Sequence, residues 1–118
     1  MKEDNRKECW VLGEKVDENE QVCFEIISNA GTAKSLAMEA FYAAKEKDYE
    51  SANLKLKEAN SYYVQAHKTH ASLVQKEAEG DHVKLSLLLV HAESQLMSTE
   101  TIYQLVVEMI EMYKEFRK

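Results

Sequence analysis

Four histidines and two cysteines are the side chains of this 118-residue sequence best suited to nucleophilic or metal chemistry. His91 stands out among them, because it lies inside the most apolar stretch of the chain, Leu85 to Met97. A neutral imidazole is nucleophilic near pH 7. No spacing around His91 indicates a Ser–His–Asp relay or a carboxylate pair for acid–base catalysis. The ring is therefore either a structural core histidine, donating to a carbonyl and filling space, or present for its own chemistry.

The other candidate side chains carry weaker signals. Cys9 and Cys23 show neither metal-ligand nor Cys-x-x-Cys spacing, so we expect reduced thiols in a cytoplasmic protein. His67 and His70 are expected to be structural, and His82 to be solvated at a helix start. No cofactor is expected.

The composition predicts one all-α domain. Hydrophobic residues make up 45% of the chain and charged residues 31%, with no proline and three glycines. A formal net charge of −6 argues against nucleic acid as a partner, since Lys and Arg would have to replace its counterions. No apolar run reaches the roughly 18 residues of a membrane span, and the charged segment Met1 to Glu8 lacks the apolar core of a signal peptide.

Helical periodicity divides the chain into a leader and three helices. Residues 1–17 are expected to form a flexible N-terminal leader, with Trp10 docking on the body, and residues 18–118 a three-helix domain. An alanine-rich face predicts the first helix: Ile26, Ala30, Ala33, Ala37, Ala40 and Ala44, broadened by Ile27, Leu36 and Phe41. Gly31 lies inside this helix and costs it about 1 kcal/mol relative to alanine, and close packing against a neighbour is the expected compensation.

Cap residues predict the bounds of the other two helices. Asp48 can cap the second helix, which runs to about Glu79, and Gly80 suits the position just beyond its end. Its expected seam is Tyr49, Ala52, Leu56, Ala59, Tyr63, Ala66, His70 and Leu73. Asp81 is expected to cap the third helix, which runs from about Val83 or Leu85 to the end of the chain.

The third helix carries apolar residues on two opposite sides. The inner stripe is Leu85, Leu89, Ala92, Leu96, Tyr103, Val106, Ile110 and Tyr113. The outer stripe is Leu87, Val90, Ser94, Met97, Thr101 and Leu105. Two other helices of one chain can cover the inner stripe but cannot easily cover both. The sequence therefore predicts an oligomer built through the third helix.

Three segments resemble the enzyme IIA proteins of the lactose/cellobiose (N,N′-diacetylchitobiose) class of the bacterial sugar phosphotransferase system. They are Ile26 to Gly31 with Ala33 to Ala40, Ala66 to Lys68 with Leu73 to Ala78, and Leu87 to Ala92 with Leu96-Met97. The resemblance covers the chain from about Glu18 to the C-terminus. It implies an antiparallel three-helix bundle that trimerises into a nine-helix bundle, with the third helices along the axis.

The resemblance also implies phosphoryl transfer. The carrier HPr would phosphorylate a histidine, matched here by His91, and that histidine would pass the group to a cysteine of the IIB component. The group would then reach a β-linked disaccharide, such as cellobiose, chitobiose or lactose, that enters through the membrane IIC component. Gln95, Ser98 and, from a neighbouring subunit, Ser94 are candidates for steadying the phosphoryl charge.

This chain departs from the family's motif beside His91. The family stretch reads His-Ala-Gln-Asp-His-Leu-Met, whereas this chain has Glu93, Ser94 and Gln95 at the three central positions. Family trimers gather three copies of that aspartate about the axis, where they can hold a metal ion. A serine hydroxyl is a poor ligand beside a carboxylate, so no axial metal is expected here. Glu93 is expected to add negative charge near the site.

Two alternatives to an active phosphocarrier remain open. The altered triplet is consistent with a paralogue that keeps the bundle but has lost transfer, and acts in regulation or assembly. A two-component phosphotransfer domain is also a helical bundle with a lone histidine. Such domains usually carry a lysine and a glycine soon after the histidine, and Glu93, Ser94 and Gln95 supply neither.

Overall fold

The computed structural model describes the backbone of residues 9–11 and 14–117 and the side chains of residues 17–117. Two short strands, β1 (Cys9–Val11) and β2 (Glu14–Val16), precede three helices. The helices are α1 (Glu18–Lys45), α2 (Tyr49–Ala78) and α3 (Leu87–Phe116). The predicted three-helix arrangement is confirmed. None of the described helices is long and apolar enough to cross a membrane.

The two strands add a small antiparallel sheet ahead of the helices that the sequence did not predict. Cys9 lies opposite Val16, and Val11 lies opposite Glu14. Valine favours extended backbone, which is consistent with strands at these positions. The flexibility predicted for residues 1–17 stays a prediction. Residues 1–8 and 12–13 and the side chain of Trp10, including its predicted docking, lie outside the described part of the chain.

The first helix begins and packs as its sequence indicates. An Asp17 side-chain oxygen accepts a hydrogen bond from the Glu20 amide at 2.8 Å, which satisfies one of the unpaired N–H groups of the first turn. The buried side chains of α1 include all six of the predicted face: Ile26, Ala30, Ala33, Ala37, Ala40 and Ala44. Because most of them are alanines, α2 and α3 can both approach α1 closely.

Both caps predicted for α2 are confirmed. The Asp48 carboxylate accepts from the Ser51 amide at 3.1 Å, and Gly80 adopts φ of +91° just beyond the helix. Glycine is favoured there because a side chain would be strained at positive φ. The predicted seam is also confirmed, since it holds all four buried residues of α2: Ala52, Ala59, Ala66 and Leu73.

The start of α3 differs from the prediction. Ser86 caps the helix, because its Oγ accepts from the Leu89 amide at 3.1 Å, and α3 begins at Leu87. Residues 81–86 have no regular secondary structure, so Asp81 lies too far upstream to act as the cap. Its carboxylate lies 3.8 Å from the Lys76 ammonium instead. Leu85 consequently falls outside α3 and is exposed rather than part of the inner stripe.

The helices run up, down and up, with α1 central. The Thr99 hydroxyl of α3 donates to the Ala30 carbonyl of α1 at 3.0 Å. At the far end of the bundle, Arg117 Nη1 donates to the Ala44 carbonyl at 3.0 Å. These two contacts show that α3 runs parallel to α1. Helix α2 runs antiparallel to both and packs mainly against α1.

Gly31 is not a site of close packing, contrary to the prediction. A Cβ atom built at Gly31 meets nothing within 4 Å, so the position faces open space. Gly31 lies on the outer side of α1, beside Ser28, Thr32 and Ser35, rather than on the alanine face. The conformational cost of a helical glycine is therefore not offset by a neighbour within the chain.

Candidate functional site

His91 is the fifth residue of α3 and is exposed. The next residue, Ala92, is fully buried and fixes the face of the helix that turns inward. No hydrogen bond or ion pair reaches the His91 ring from the side chains of residues 17–117. The ring therefore does not fill the core or satisfy a buried carbonyl. Of the two interpretations of His91, the structure favours a group accessible to a partner.

The side chains expected to assist His91 lie on the same side of α3. At 100° per residue, Gln95, Ser98 and Ser94 are displaced from His91 around the helix by about 40°, 20° and 60°. Gln95 is half-buried, while Ser94 and Ser98 are exposed. Leu87, 85% exposed, lies within the same sector and gives the site an apolar border. The structure thus brings together on one face the four site residues predicted from the sequence.

The N-terminus of α3 provides a favourable field for negative charge. The amides of a helix's first turn make that end positive, and an anion there gains about 0.3–1 kcal/mol at an exposed position. No acidic side chain occupies the first turn of α3. His91 follows that turn directly. A phosphoryl group on its ring would therefore lie near the positive end of the helix.

Glu93 is held away from His91. Its Oε1 lies 2.5 Å from His70 Nε2 on α2, and the His70 side chain is largely buried. Around α3, Glu93 and His91 are separated by about 160°. The expected negative charge beside His91 is therefore not seen, because the carboxylate is paired on the other side of the helix.

Two polar contacts between helices were missed by the sequence analysis. His70 was correctly placed on the seam of α2, but its partner Glu93 was not identified. Thr99 is fully buried, and its hydroxyl donates to the Ala30 carbonyl of α1. The available signal was the position of Thr99 on the apolar face of α3, because a buried hydroxyl needs a hydrogen-bond partner. Its partner lies 69 positions away in the sequence.

The donor set about Ser94 does not fit a metal centre. Ser94 offers a neutral hydroxyl where the family motif has a carboxylate, and a divalent cation prefers carboxylate and carbonyl oxygens. Within residues 17–117, no group of three or more His, Cys, Asp or Glu side chains is arranged to hold a metal ion.

The sequence matches a known family over most of its length. Residues 21–114 match the family described as the lactose/cellobiose-specific IIA subunit of the phosphotransferase system. The chain belongs to this family. IIA subunits are components of the bacterial sugar phosphotransferase system, which carries out sugar uptake. This membership also removes the support for a two-component phosphotransfer domain.

Curated IIA relatives align with nearly the whole chain. The lichenan-specific phosphotransferase enzyme IIA component of Bacillus subtilis is 40% identical over 99 residues, which cover 84% of this chain and 90% of the relative. The lactose-specific EIIA component of Streptococcus mutans is 38% identical over 110 residues, covering 93% and 96%. The match therefore includes both the helical domain and the His91 region.

Solved IIA structures share the fold. The cellobiose-specific enzyme IIA from Bacillus anthracis superposes with a TM-score of 0.84 and 35% identity, covering 86% of this chain and 94% of that one. The chitobiose IIA of the Escherichia coli phosphotransferase system, solved in complex with HPr, gives a TM-score of 0.75 and 31% identity, covering 87% and 100%. These similarities confirm the IIA-type helical bundle.

Proposed function

We propose that this IIA subunit is an active phosphocarrier that uses His91. It accepts a phosphoryl group from phospho-HPr and passes it to the cysteine of a IIB component. The observation that carries the proposal is the exposed His91 ring beside the N-terminus of α3, on a bundle that belongs to the IIA family. In this scheme the protein works in the cytoplasm and reaches the membrane component IIC only through IIB.

The proposed transfer is a pair of in-line displacements. A lone pair on a ring nitrogen of His91 attacks the phosphorus of the HPr phosphohistidine, a new P–N bond forms, and the HPr imidazole leaves. The IIB thiolate then attacks the same phosphorus, the P–S bond forms, and the His91 imidazole leaves. Positioning and charge stabilisation account for most of such catalysis, because the protein forms few new covalent bonds.

The polar side chains near His91 are suited to hold the transferred group. Gln95, one turn along, provides an amide donor, and the Ser98 hydroxyl lies on the same face one turn further. Ser94 faces outward on the outer stripe, from which it is placed to reach the site of a neighbouring subunit. Each contributes a neutral donor to phosphate oxygens without adding negative charge.

The outer stripe of α3 supports a homotrimer. All of its members are exposed in the single chain: Leu87, Val90, Ser94, Met97, Thr101 and Leu105. Covering a large apolar side chain gains about 1.5–3 kcal/mol, so several together favour a stable assembly. Three chains packed through α3 would bury this stripe along one axis, giving nine helices in all.

The proposed cargo is a β-linked disaccharide. The relatives and solved neighbours carry names that specify lichenan, lactose, cellobiose and N,N′-diacetylchitobiose. The sugars in these names are all β-linked, and the membrane component mainly determines which of them is transported. HPr is supported as the donor by the solved chitobiose IIA–HPr complex.

Intact-mass spectrometry tests the proposal. The protein is incubated with phosphoenolpyruvate, enzyme I and HPr, and we expect a gain of one phosphoryl group that is lost on acid treatment. His91→Gln should abolish the gain. His67→Gln and His82→Gln are matched controls, because both rings are also exposed, and both should label like the wild type. Undiminished labelling of His91→Gln would contradict the proposal.

The alternative is a transfer-deficient paralogue that acts in regulation or assembly. The observation behind it is the triplet Glu93, Ser94 and Gln95, which departs from the family motif. It predicts a stable assembly that takes up no phosphoryl group under conditions that label an active IIA protein. Restoring the family residues at these three positions would then be expected to restore labelling.

A further inference from the structure

The contact between His70 and Glu93 joins α2 to the side of α3 that lies opposite His91. Glu93 Oε1 lies 2.5 Å from His70 Nε2. At 100° per residue, His91, Gln95 and Ser98 lie about 160°, 160° and 140° from Glu93 around α3. The contact therefore holds the same two turns of the helix that carry the transfer site, but from behind.

Few directional contacts hold this part of α3. Among the described residues, His70–Glu93 is the one hydrogen bond or ion pair that joins the first three turns of α3, residues 87–98, to another helix. The segment before them, residues 81–86, has no regular secondary structure. The buried side chains of these turns are those of Ala92 and Leu96, whose packing is apolar. Apolar packing has little directionality, whereas a hydrogen bond requires alignment of donor and acceptor. The His70–Glu93 contact is therefore well suited to set the rotation of α3 about its axis.

His70 is held in place by its own helix. Its side chain is 21% exposed, and it lies between the buried residues Ala66 and Leu73 on the seam of α2. Those two residues belong to the same apolar cluster as Ala92, the neighbour of Glu93 in α3. A carboxylate accepts but does not donate, so we assign the shared proton to His70 Nε2. The imidazole thus provides α3 with a fixed donor at the edge of a cluster that both helices share.

A small rotation of α3 would displace the His91 ring enough to affect transfer. The ring lies about 5–6 Å from the helix axis, so a rotation of about 10° moves it by about 1 Å. A misplacement of that size can slow a reaction by about 100-fold, because the reacting atoms leave their aligned positions. Gln95 and Ser98 would be displaced together with the ring.

We propose that His70 is a positioning residue for phosphoryl transfer, because through Glu93 it fixes the rotation of α3 that turns His91 towards the partner. His70 itself touches neither the phosphoryl group nor the reacting nitrogen. The proposal rests on the function proposed above, since it concerns the rate at which His91 takes up a phosphoryl group.

Single-turnover labelling by phospho-HPr tests the role of the hydrogen bond. His70→Phe keeps an aromatic ring but removes the donor, and we expect the labelling rate at saturating phospho-HPr to fall roughly tenfold or more. The phospho-HPr concentration that gives half of the maximal rate should stay within about twofold, because the substituted ring is not part of the transfer face. His70→Gln keeps an amide donor, so its rate should stay within roughly threefold of the wild type.

Two further comparisons separate positioning from a general loss of stability. Glu93→Met removes the acceptor and should slow labelling about as much as His70→Phe. The double variant should be no slower than either, because the two side chains share one contact. Tyr63→Leu is the matched control: its ring stacks on Tyr103 and joins the same two helices, but about 18 Å along α3 from His91. This substitution should weaken the contact between α2 and α3 without changing the labelling rate.

Amide NMR spectra test the orientation of α3 independently of the chemistry. His70→Phe should shift the backbone amide signals of His91, Gln95 and Ser98, which lie on the far side of α3 from the substituted ring. Tyr63→Leu should leave these three signals in place.

The outcomes distinguish this inference from the proposed function. A wild-type labelling rate in His70→Phe, or an equal loss in Tyr63→Leu, would overturn the inference and leave His91 as the carrier. A wild-type protein that takes up no phosphoryl group would contradict the proposed function. The inference about α3 would then stand or fall on the three amide signals, and unchanged signals would overturn it.

Discussion

His70 on α2 and Glu93 on α3 lie 2.5 Å apart, measured from Nε2 to Oε1. This contact joins two helices that otherwise touch each other little. The stacked rings of Tyr63 and Tyr103, with centroids 6.1 Å apart, join the same two helices elsewhere. The pair therefore fixes α2 against α3. It also holds the Glu93 carboxylate, which is two residues from His91 in the sequence, away from the site.

The His70–Glu93 contact should contribute measurably to stability. We expect His70→Ala and Glu93→Ala each to lower the free energy of unfolding by about 0.5–1.5 kcal/mol, the usual net worth of a hydrogen bond. The double variant should lose less than the sum, because the two side chains share one interaction. Urea unfolding of the four proteins measures this coupling. Additive losses would show that the contact does not persist in solution.

Glu93→Gln should leave phosphoryl acceptance by His91 nearly unchanged. The carboxylate is paired on the opposite side of α3, so neutralising it does not alter the charge facing the ring. We expect the rate of labelling by phospho-HPr to stay within roughly threefold of the wild type, or about 0.65 kcal/mol in barrier. Intact-mass spectrometry of samples quenched at successive times gives the rates of labelling. A much faster variant would mean that Glu93 does oppose the incoming phosphoryl group.

Cys23 should react slowly with alkylating agents. The side chain is 3% exposed, and burial raises the pKa of its thiol, with further increases from the charges of Asp17, Glu20 and Glu93. A raised pKa leaves less thiolate at a given pH, so alkylation should begin only at higher pH than for an ordinary cysteine. In a Cys9→Ser background, we expect at least roughly tenfold slower modification by iodoacetamide at pH 8 than in urea. Equal rates in both solutions would contradict this expectation.

The proposed trimer should not depend on a divalent cation. Ser94 places a hydroxyl where a carboxylate would be needed, so chelators should leave the sedimentation of the wild-type protein unchanged. Ser94→Asp should make stability respond to a divalent ion, because in the proposed trimer three carboxylates would meet about one axis and repel one another until a cation binds. Thermal unfolding with and without magnesium measures the difference. A wild-type assembly that dissociates in chelator would overturn the prediction.

Two glycine substitutions should change stability in opposite directions. Gly31→Ala should raise the free energy of unfolding by about 1 kcal/mol, since alanine favours the helix and its Cβ meets open space. Gly80→Ala should lower it by about 1–2 kcal/mol, because the residue adopts φ of +91°. Urea unfolding measures both. A loss at Gly31 would indicate that a neighbouring copy packs against this side of α1.

Local chemistry made much of the fold predictable. The alanine face of α1 and the seam of α2 follow from spacings of three and four residues, which place side chains on one side of a helix whatever surrounds it. Asp48 and Gly80 were identified for a similar reason, since a cap interacts with amides or carbonyls of the adjacent turn. The prediction that Asp81 caps α3 was wrong. Ser86 can also act as an N-cap and lies nearer the apolar run, and its hydroxyl accepts from the first turn of the helix.

The site was predictable only in part. Sequence alone singled out His91 and, through resemblance to the IIA family, the side chains expected to assist it. It could not show that the ring is exposed, that Glu93 is bound by His70, or that Arg117 reaches the end of α1. Those relationships join residues far apart in the chain, and they depend on how each helix is rotated and set along its neighbours. Periodicity determines which face of a helix is apolar, whereas only tertiary packing decides what that face meets.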